Sequence, residues 1–309
     1  MAVQWPLLIF SVLLGASSGV LVFLGIGEIK GCFKKVRFPL ALIALVLLAV
    51  GGCASALHLG HIDRALYILG NVSSGLSKEL FAVGFTGIMT LVYVILSRKD
   101  YPSVTRVFGL LAALGGLVLP LVAGASYMMP ARPAWDSIAL PLMYLGTGLG
   151  MGFVLAAAYV HFKGDEADEP FALKLALAGV LASAVVTLIY VVWVAVAPYP
   201  DPTRSLVRLA AGDLAPAFWL DVVLIGGMAP VVLMGLVWKR GGDAGASSKD
   251  APVVAAVDGG GAAAAAPAAA GKVSTTTALW ATLACLVVGS VVLRVIMYLV
   301  ATSVEQLIY

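Results

Sequence analysis

Residues 38–58 read FPLALIALVLLAVGGCASALH, an unbroken run without Asp, Glu, Lys or Arg. A helix needs about 20 apolar residues to cross the hydrocarbon core of a bilayer, so this run predicts a transmembrane helix. Seven further stretches of similar character occur at 6–28, 80–97, 107–129, 138–160, 174–197, 216–238 and 278–301. The sequence therefore predicts an all-α integral membrane protein with eight transmembrane helices in a bundle.

The composition of the whole chain agrees with this prediction. Of its 309 residues, 61% are hydrophobic and only 11% are charged, and the mean hydropathy is +1.05. Soluble domains carry roughly a quarter of their residues as charged side chains. The excess of Leu, Ala, Val and Gly favours helices over the strands of a membrane barrel, which would alternate in polarity at period two.

The two ends of the chain differ in organisation. The start, MAVQWPLLIF, lacks a basic segment before its apolar run, so residues 6–28 are predicted to be a retained helix and not a cleaved signal peptide. Residues 241–277 are rich in Gly, Ala and Pro and predict a flexible linker. The expected organisation is helices 1–7 in residues 1–240, a cytoplasmic linker at 241–277, and an eighth helix with an external C-terminus at 278–309.

The distribution of Lys and Arg predicts the orientation, because cytoplasmic loops of membrane proteins are enriched in these residues. Loops 1–2, 3–4, 5–6 and 7–8 together hold thirteen of them, whereas the opposite loops hold five: Arg64, Lys78, Arg132, Arg204 and Arg208. Both termini are therefore expected outside a bacterial cytoplasmic membrane. The net charge of +3 then reflects topology and does not indicate nucleic-acid binding.

Several classes of redox and hydrolytic protein are disfavoured by what the sequence contains. Cys32, Cys53 and Cys285 are too far apart to form the runs that hold iron–sulfur clusters. A haem held by two histidines needs them at matched depth, but His58 and His161 are predicted on opposite sides. The sequence has no phosphate-binding loop of Walker type and no nucleophile elbow. We expect no haem, no cluster and no metal in this chain.

A polar block separates the second and third apolar runs: residues 56–81 read ALHLGHIDRALYILGNVSSGLSKELF. The predicted orientation places this block at the outer surface. Ionisable groups near membrane depth are costly and by default raise a functional hypothesis. His58 and His61 can also serve as polar caps, the more probable role for His61, and Lys78 is expected to extend into the interface. Glu79 suits either a helix N-terminus or a proton acceptor.

Other polar side chains at similar depth have structural alternatives. Asp63 and Arg64 can pair with each other or face water. Asp221 and Arg294 fall at matched depth in helices 7 and 8, which favours an ion pair for Asp221, although Arg294 can also direct a donor into a polar pocket. An interfacial aromatic belt would explain Tyr67, Tyr127 and Tyr298 without a ligand.

The order of several motifs resembles the membrane-anchor subunit of the dimethyl sulfoxide reductase family. These are WPLLIF at the start, ALHLGHIDRALYIL followed by SSGLSKELF, then ASYMMPARPAW, and VLRVIMYLV in the last helix. The block from His58 to Glu79 is the most specific part of the resemblance. The chain departs from the family at Ser290, where members can carry a glutamate before the arginine of the last helix, and in its long linker.

The resemblance implies an eight-helix, haem-free protein that oxidises a quinol, generally menaquinol, in anaerobic respiration. Electrons would pass to a ferredoxin-like subunit with four iron–sulfur clusters and then to a molybdopterin catalytic subunit, which reduces the terminal acceptor. In the family, the histidine and the glutamate of the polar block are associated with quinol oxidation. These positions are His58 and Glu79, and we extend the expected quinol-binding set to Arg64, Tyr127 and Arg294.

The chemistry of quinols fits these residue types. Oxidation releases two electrons and two protons, and the protons need acceptors with pKa values near the working pH, such as histidine at about 6.5 or a carboxyl group that has lost water contacts. Two alternatives remain: a secondary transporter that uses Glu79, Asp221 and Arg294 as a relay, and a tether without quinol chemistry. Transporters usually place such charges near the midplane, whereas most polar groups here gather at one side.

Overall fold

The computed structural model describes residues 3–57, 70–132, 134–196, 206–249 and 274–300, with the backbone alone for 240–249. Its membrane-length helices are α1 (Trp5–Lys30), α2 (Arg37–Ala56), α3 (Gly75–Leu96), α4 (Pro102–Ala125), α5 (Ala139–Lys163), α6 (Glu169–Val196), α7 and α8 (Thr275–Val300). α7 has a π-helical part, Ala217–Met228, continued by an α-helix, Ala229–Lys249. The fold is all-α, with eight helices long and apolar enough to cross a membrane, as predicted.

The linker differs from the prediction at its beginning. Residues 241–249 continue helix α7, so the helical segment extends nine residues into the stretch expected to be flexible. The segment ASSK within it is compatible with helix, because serine and alanine do not break one. The remainder of the predicted linker, 250–273, lies outside the described residues, as does the C-terminal stretch after Val300.

The helices form two halves of four, α1–α4 and α5–α8, in which neighbouring helices pack in the same order. A polar contact recurs at the same place in both halves: Glu28 near the end of α1 forms an ion pair with Arg37 at the start of α2, and His161 near the end of α5 contacts Glu169 at the start of α6. Glu79 and Asp221 are each the fifth residue of the third helix of their half. We call the end of the bundle that carries Glu79 the outer end, following the predicted orientation.

The two halves meet where α1 crosses α5. Gly19 of α1 faces Gly148 and Gly152 of α5 so closely that a Cβ atom at either Gly19 or Gly152 would collide with the opposite backbone. Small residues spaced four apart allow such close approach between membrane helices. These glycines therefore set the distance between the halves and bring the outer ends of α1, α4, α5 and α8 together.

A network at the inner end fixes the first half. The Glu28 carboxylate is buried and accepts hydrogen bonds from Arg37 Nη2 at 2.9 Å and Tyr93 Oη at 2.7 Å. Nearby, the Phe33 amide donates to Asp168 Oδ2 at 2.7 Å, and the Phe33 ring stacks between Phe23 and Phe171. These contacts explain why Phe33 holds a left-handed backbone with φ of 63°.

Candidate functional site at the outer end

The start of α3 places Glu79 at the outer end of the bundle. Ser74 caps this helix by accepting a hydrogen bond from the Ser77 amide at 3.1 Å, which is the usual role of serine at that position. Gly75 packs against Ser126 at the end of α4, where an added Cβ would lie 3.4 Å from the Ser126 Cα. This close approach brings the Glu79 side chain, one turn further on, against α4.

The Glu79 carboxylate is half-buried and weakly held. Ser126 Oγ lies 3.3 Å from Glu79 Oε2, but the single hydroxyl proton of Ser126 has a nearer acceptor in the Ala123 carbonyl at 2.7 Å. On the other side of Glu79, Leu76 and Leu80 are 45% and 42% exposed, on a helix that would face lipid. The carboxylate therefore lies between a bilayer-facing surface and the interior of the bundle, and retains acceptor capacity for another donor.

The interior next to Glu79 is a cluster of aromatic side chains, formed by Tyr127, Trp135, Tyr144 and Tyr298. The Tyr298 hydroxyl donates to the Tyr127 hydroxyl at 3.1 Å, and the Tyr127 ring centroid lies 5.9 to 6.2 Å from those of the other three. Trp135 Nε1 donates to the Met297 carbonyl at 2.8 Å, which anchors the loop containing ASYMMPARPAW over α8. We call these four side chains the aromatic cluster.

Two observations concern tyrosines that the sequence assigned to an interfacial belt. Tyr298 is only 2% exposed and packs inside the bundle, so the belt interpretation is wrong for this residue. Tyr127 follows the end of α4. Its pKa is raised above the ordinary value, mainly because the side chain is buried and also because Tyr144 and Tyr298 lie nearby. Tyr127 therefore keeps its proton at physiological pH.

Arg294 also adjoins the aromatic cluster, through Tyr144. Its guanidinium carbon is 4.7 Å from the centroid of the Tyr144 ring, and Nε donates to Ser11 Oγ at 2.9 Å. The expected ion pair with Asp221 is not formed: Arg294 instead contacts neutral oxygens on α1, α5 and α8. Depth alone does not fix the rotation of a helix about its axis, and the π-helical part of α7 changes that rotation relative to a regular α-helix.

The structure thus brings together three of the five expected site residues. Glu79 contacts Ser126, the residue before Tyr127, and Arg294 lies against Tyr144, whose ring centroid is 6.0 Å from that of Tyr127. The aromatic cluster also contains Tyr144, Tyr298 and Trp135, which the sequence did not identify as ligands. The sequence indicates only that a tyrosine or tryptophan lies toward the outer end of three separate segments. The other expected residues, His58 and Arg64, lie outside the described residues, together with His61, Asp63 and Tyr67.

The remaining histidine has a structural role at the inner end. His161 contacts Glu169 at 2.7 Å and Thr276 at 3.0 Å, and so ties α5 to the starts of α6 and α8. Within the described ranges, no three His, Cys, Asp or Glu side chains are close enough together to hold a metal ion. The absence of haem, clusters and metals from the whole chain stays a prediction.

Comparison with known proteins places the chain in a family. Residues 1–197 match the model of the DMSO reductase anchor subunit (DmsC), and the chain belongs to this family. It is 31% identical over 196 residues to the anaerobic dimethyl sulfoxide reductase chain YnfH of Escherichia coli (strain K12), which covers 60% of this chain and 68% of that protein. The chain is thus a multi-pass membrane anchor subunit, and an anchor implies catalytic and electron-transfer partner subunits.

The match to the family model covers only part of the candidate site. It includes Glu79, Tyr127 and the whole polar block but ends at the end of α6, so α7 and α8 lie outside it. Arg294 and Tyr298 are therefore contributed by the part of the chain beyond the match. The resemblance seen in the last-helix motif VLRVIMYLV is not covered by this comparison.

Proposed function

We propose that this anchor oxidises a quinol, menaquinol in the first instance, at the outer end of the bundle. The observation that carries the proposal is the position of Glu79: a half-buried carboxylate with one weak hydrogen bond, placed between lipid-facing Leu76 and Leu80 and the aromatic cluster. A lipid-soluble quinol would reach this position from the bilayer. Its ring would find an apolar wall with a carboxylate and a tyrosine hydroxyl at the edge, the composition typical of ligand sites.

The reaction divides between this chain and its partners. Quinol loses two electrons and two protons and becomes quinone. Glu79 would accept one proton, and His58, whose place in the polar block suggests it, the other. The electrons would pass to an iron–sulfur partner bound at the outer end and then to a molybdopterin partner, which reduces the terminal acceptor. This proposal includes the two partner subunits, a location in the bacterial cytoplasmic membrane and an external position for both termini.

Two alternatives have less support. A transporter relay through Asp221 and Arg294 would need these groups to communicate, but they form no ion pair, and Glu79 lies at the outer end of α3, not near the middle of the bilayer. A tether without quinol chemistry gives no reason for an acidic side chain that lacks a strong partner next to the aromatic cluster, since burying such a group costs free energy.

The test compares two electron donors in membranes with equal amounts of assembled complex. Glu79→Gln and His58→Ala should abolish reduction of the terminal acceptor by a menaquinol analogue. Both variants should leave reduction by a soluble dye intact, because the dye delivers electrons directly to the partner subunits. Glu79→Asp should retain more quinol activity than Glu79→Gln, since it keeps a proton acceptor.

The matched control is Lys78→Gln, an exposed neighbour of Glu79 whose loss should leave both rates unchanged. Parallel loss of both activities, or loss of neither, in the Glu79 and His58 variants would make these residues structural and the chain a tether.

A further inference from the structure

The buried charge of Arg294 has no counter-ion in the described part of the chain. The residue is 0% exposed, and its three hydrogen bonds go to neutral oxygens: Ser11 Oγ at 2.9 Å, the Ser290 carbonyl at 3.3 Å and Thr147 Oγ1 at 3.4 Å. A guanidinium has five N–H donors, so two find no acceptor among the described residues. None of the described carboxylates lies within ion-pair distance of it.

This arrangement is costly, because a charge buried in a membrane protein is normally paired with an opposite one. The residue one turn before Arg294 is Ser290, which is neutral, and its backbone carbonyl contacts the guanidinium. A small cavity of about 20 Å³, lined by Ser290 and Thr147, adjoins this position and has room for no more than a water molecule.

The positive charge borders the site proposed for the quinol. The Arg294 guanidinium carbon lies 4.7 Å from the Tyr144 ring centroid, and that centroid is 6.0 Å from the ring centroid of Tyr127. Tyr144 is the member of the aromatic cluster whose ring lies against the cation. The surroundings are apolar and exclude water. The electric field of the Arg294 guanidinium therefore weakens much less between Arg294 and the proposed quinol ring than it would in solution.

We propose that Arg294 makes this site selective for the anionic form of a quinone-type ring, such as the quinolate formed when a quinol hydroxyl gives up its proton. The proposal rests on the proposed function and adds a specificity to it. The ring hydroxyl transfers its proton to an acceptor of the site, the ring oxygen keeps the electron pair, and the charge on that oxygen is stabilised by the guanidinium. Arg294 does not touch the ring in this scheme; it is a positioning residue that acts across Tyr144.

Two ligands of nearly the same shape can distinguish selectivity for an anionic ring from binding of the ring in general. The naphthoquinone lawsone carries a ring hydroxyl that is ionised at neutral pH, and its O-methyl ether is neutral. Their dissociation constants, measured by calorimetry on the detergent-solubilised complex, give a ratio for each variant. Since the neutral ligand reports whether the site is intact, the ratio is insensitive to partial unfolding.

The variants change the charge in two independent ways. Arg294→Met removes it, and Ser290→Glu neutralises it in place by supplying the missing carboxylate one turn away. Each should reduce the preference for the ionised ligand on the order of ten-fold. Arg294→Lys keeps the charge and should keep the preference, and Ser290→Gln matches the size of glutamate without its charge and should also keep it.

The outcomes distinguish the two proposals. Equal ratios in the wild type, Ser290→Glu and Ser290→Gln, with both ligands bound, would overturn the role of Arg294 and leave the quinol site standing. Failure of the folded wild-type complex to bind either ligand would overturn the quinol site and this inference with it. Should Arg294→Met lose the neutral ligand as well, the comparison of Ser290→Glu with Ser290→Gln decides.

Discussion

The guanidinium of Arg294 lies against the face of the Tyr144 ring, 4.7 Å from its centroid, with both side chains buried at the interface between the two halves of the bundle. The ring gives the buried cation a favourable electrostatic contact in place of the absent carboxylate. Tyr144 therefore has two roles: it stabilises Arg294, and it joins that charge to the aromatic cluster, of which it is a member.

Two substitutions of Tyr144 should distinguish the contribution of its ring to stability from that of its hydroxyl. Tyr144→Phe keeps the aromatic face, and we expect the free energy of unfolding to fall by about 1 kcal/mol or less, because the hydroxyl makes a long contact of 3.8 Å with Met297 Sδ and a hydrogen bond with Ser11. Tyr144→Leu removes the face and should cost about 2 kcal/mol or more. Thermal unfolding of the purified complex in detergent measures both, and equal losses would mean that the ring face does not stabilise Arg294.

Removal of the Glu28 carboxylate should destabilise the inner end of the first half. Glu28→Gln leaves Arg37 without its partner, and we expect a loss of about 3 kcal/mol, since one member of a buried pair remains unpaired. Lys35→Gln is the control: its pair with Asp165, at 3.5 Å, is more than half exposed, so its loss should cost less than about 1 kcal/mol. Similar losses of unfolding free energy in the two variants would contradict the importance of burial.

A larger residue at the crossing of α1 and α5 should separate the halves. Gly152→Val would place its side chain into the Gly19 backbone, and we expect little assembled protein in membranes. Gly84→Val is the control, since a Cβ at Gly84 meets no atom within 4 Å. Immunoblots of membrane fractions with equal expression provide the comparison; normal levels of the Gly152 variant would show that the crossing tolerates a wider spacing.

The orientation can be tested with reporter enzymes fused to individual loops. Fusions in the loop at 97–101 and in the linker after Lys249 should report the cytoplasm, and a fusion at the C-terminus should report the exterior, because thirteen of the loop Lys and Arg residues lie on one side. A cytoplasmic C-terminus would place Glu79 at the wrong face for a partner outside the membrane.

The purified chain should show no haem absorbance and no stoichiometric iron. The reason is positional: His161 is engaged with Glu169 and Thr276 at the inner end, whereas the sequence predicts His58 and His61 on the outer side. Optical spectra and metal analysis of the chain purified without its partners provide the measurement. A b-type spectrum would require a pair of axial ligands that this arrangement does not provide.

The amino-acid sequence by itself determined the eight membrane helices and the existence of a polar block before α3. Long apolar runs have few alternatives in a bilayer, because every backbone group must be satisfied within the segment, so their bounds follow closely from composition. The sequence also identified Glu79 and Tyr127, since an acid or a tyrosine at the end of an apolar run is conspicuous without any knowledge of packing.

Only the tertiary structure decided which of these groups meet. Matched depth suggested that Asp221 pairs with Arg294, but depth leaves the rotation of a helix about its axis undetermined, and Arg294 contacts Ser11 and not Asp221. The burial of Tyr298 and the contact of Tyr144 with Arg294 depend on the packing of α8 against α5. Side-chain partners between helices are set by rotation and interhelical distance, and neither can be read from the position of a residue along its own helix.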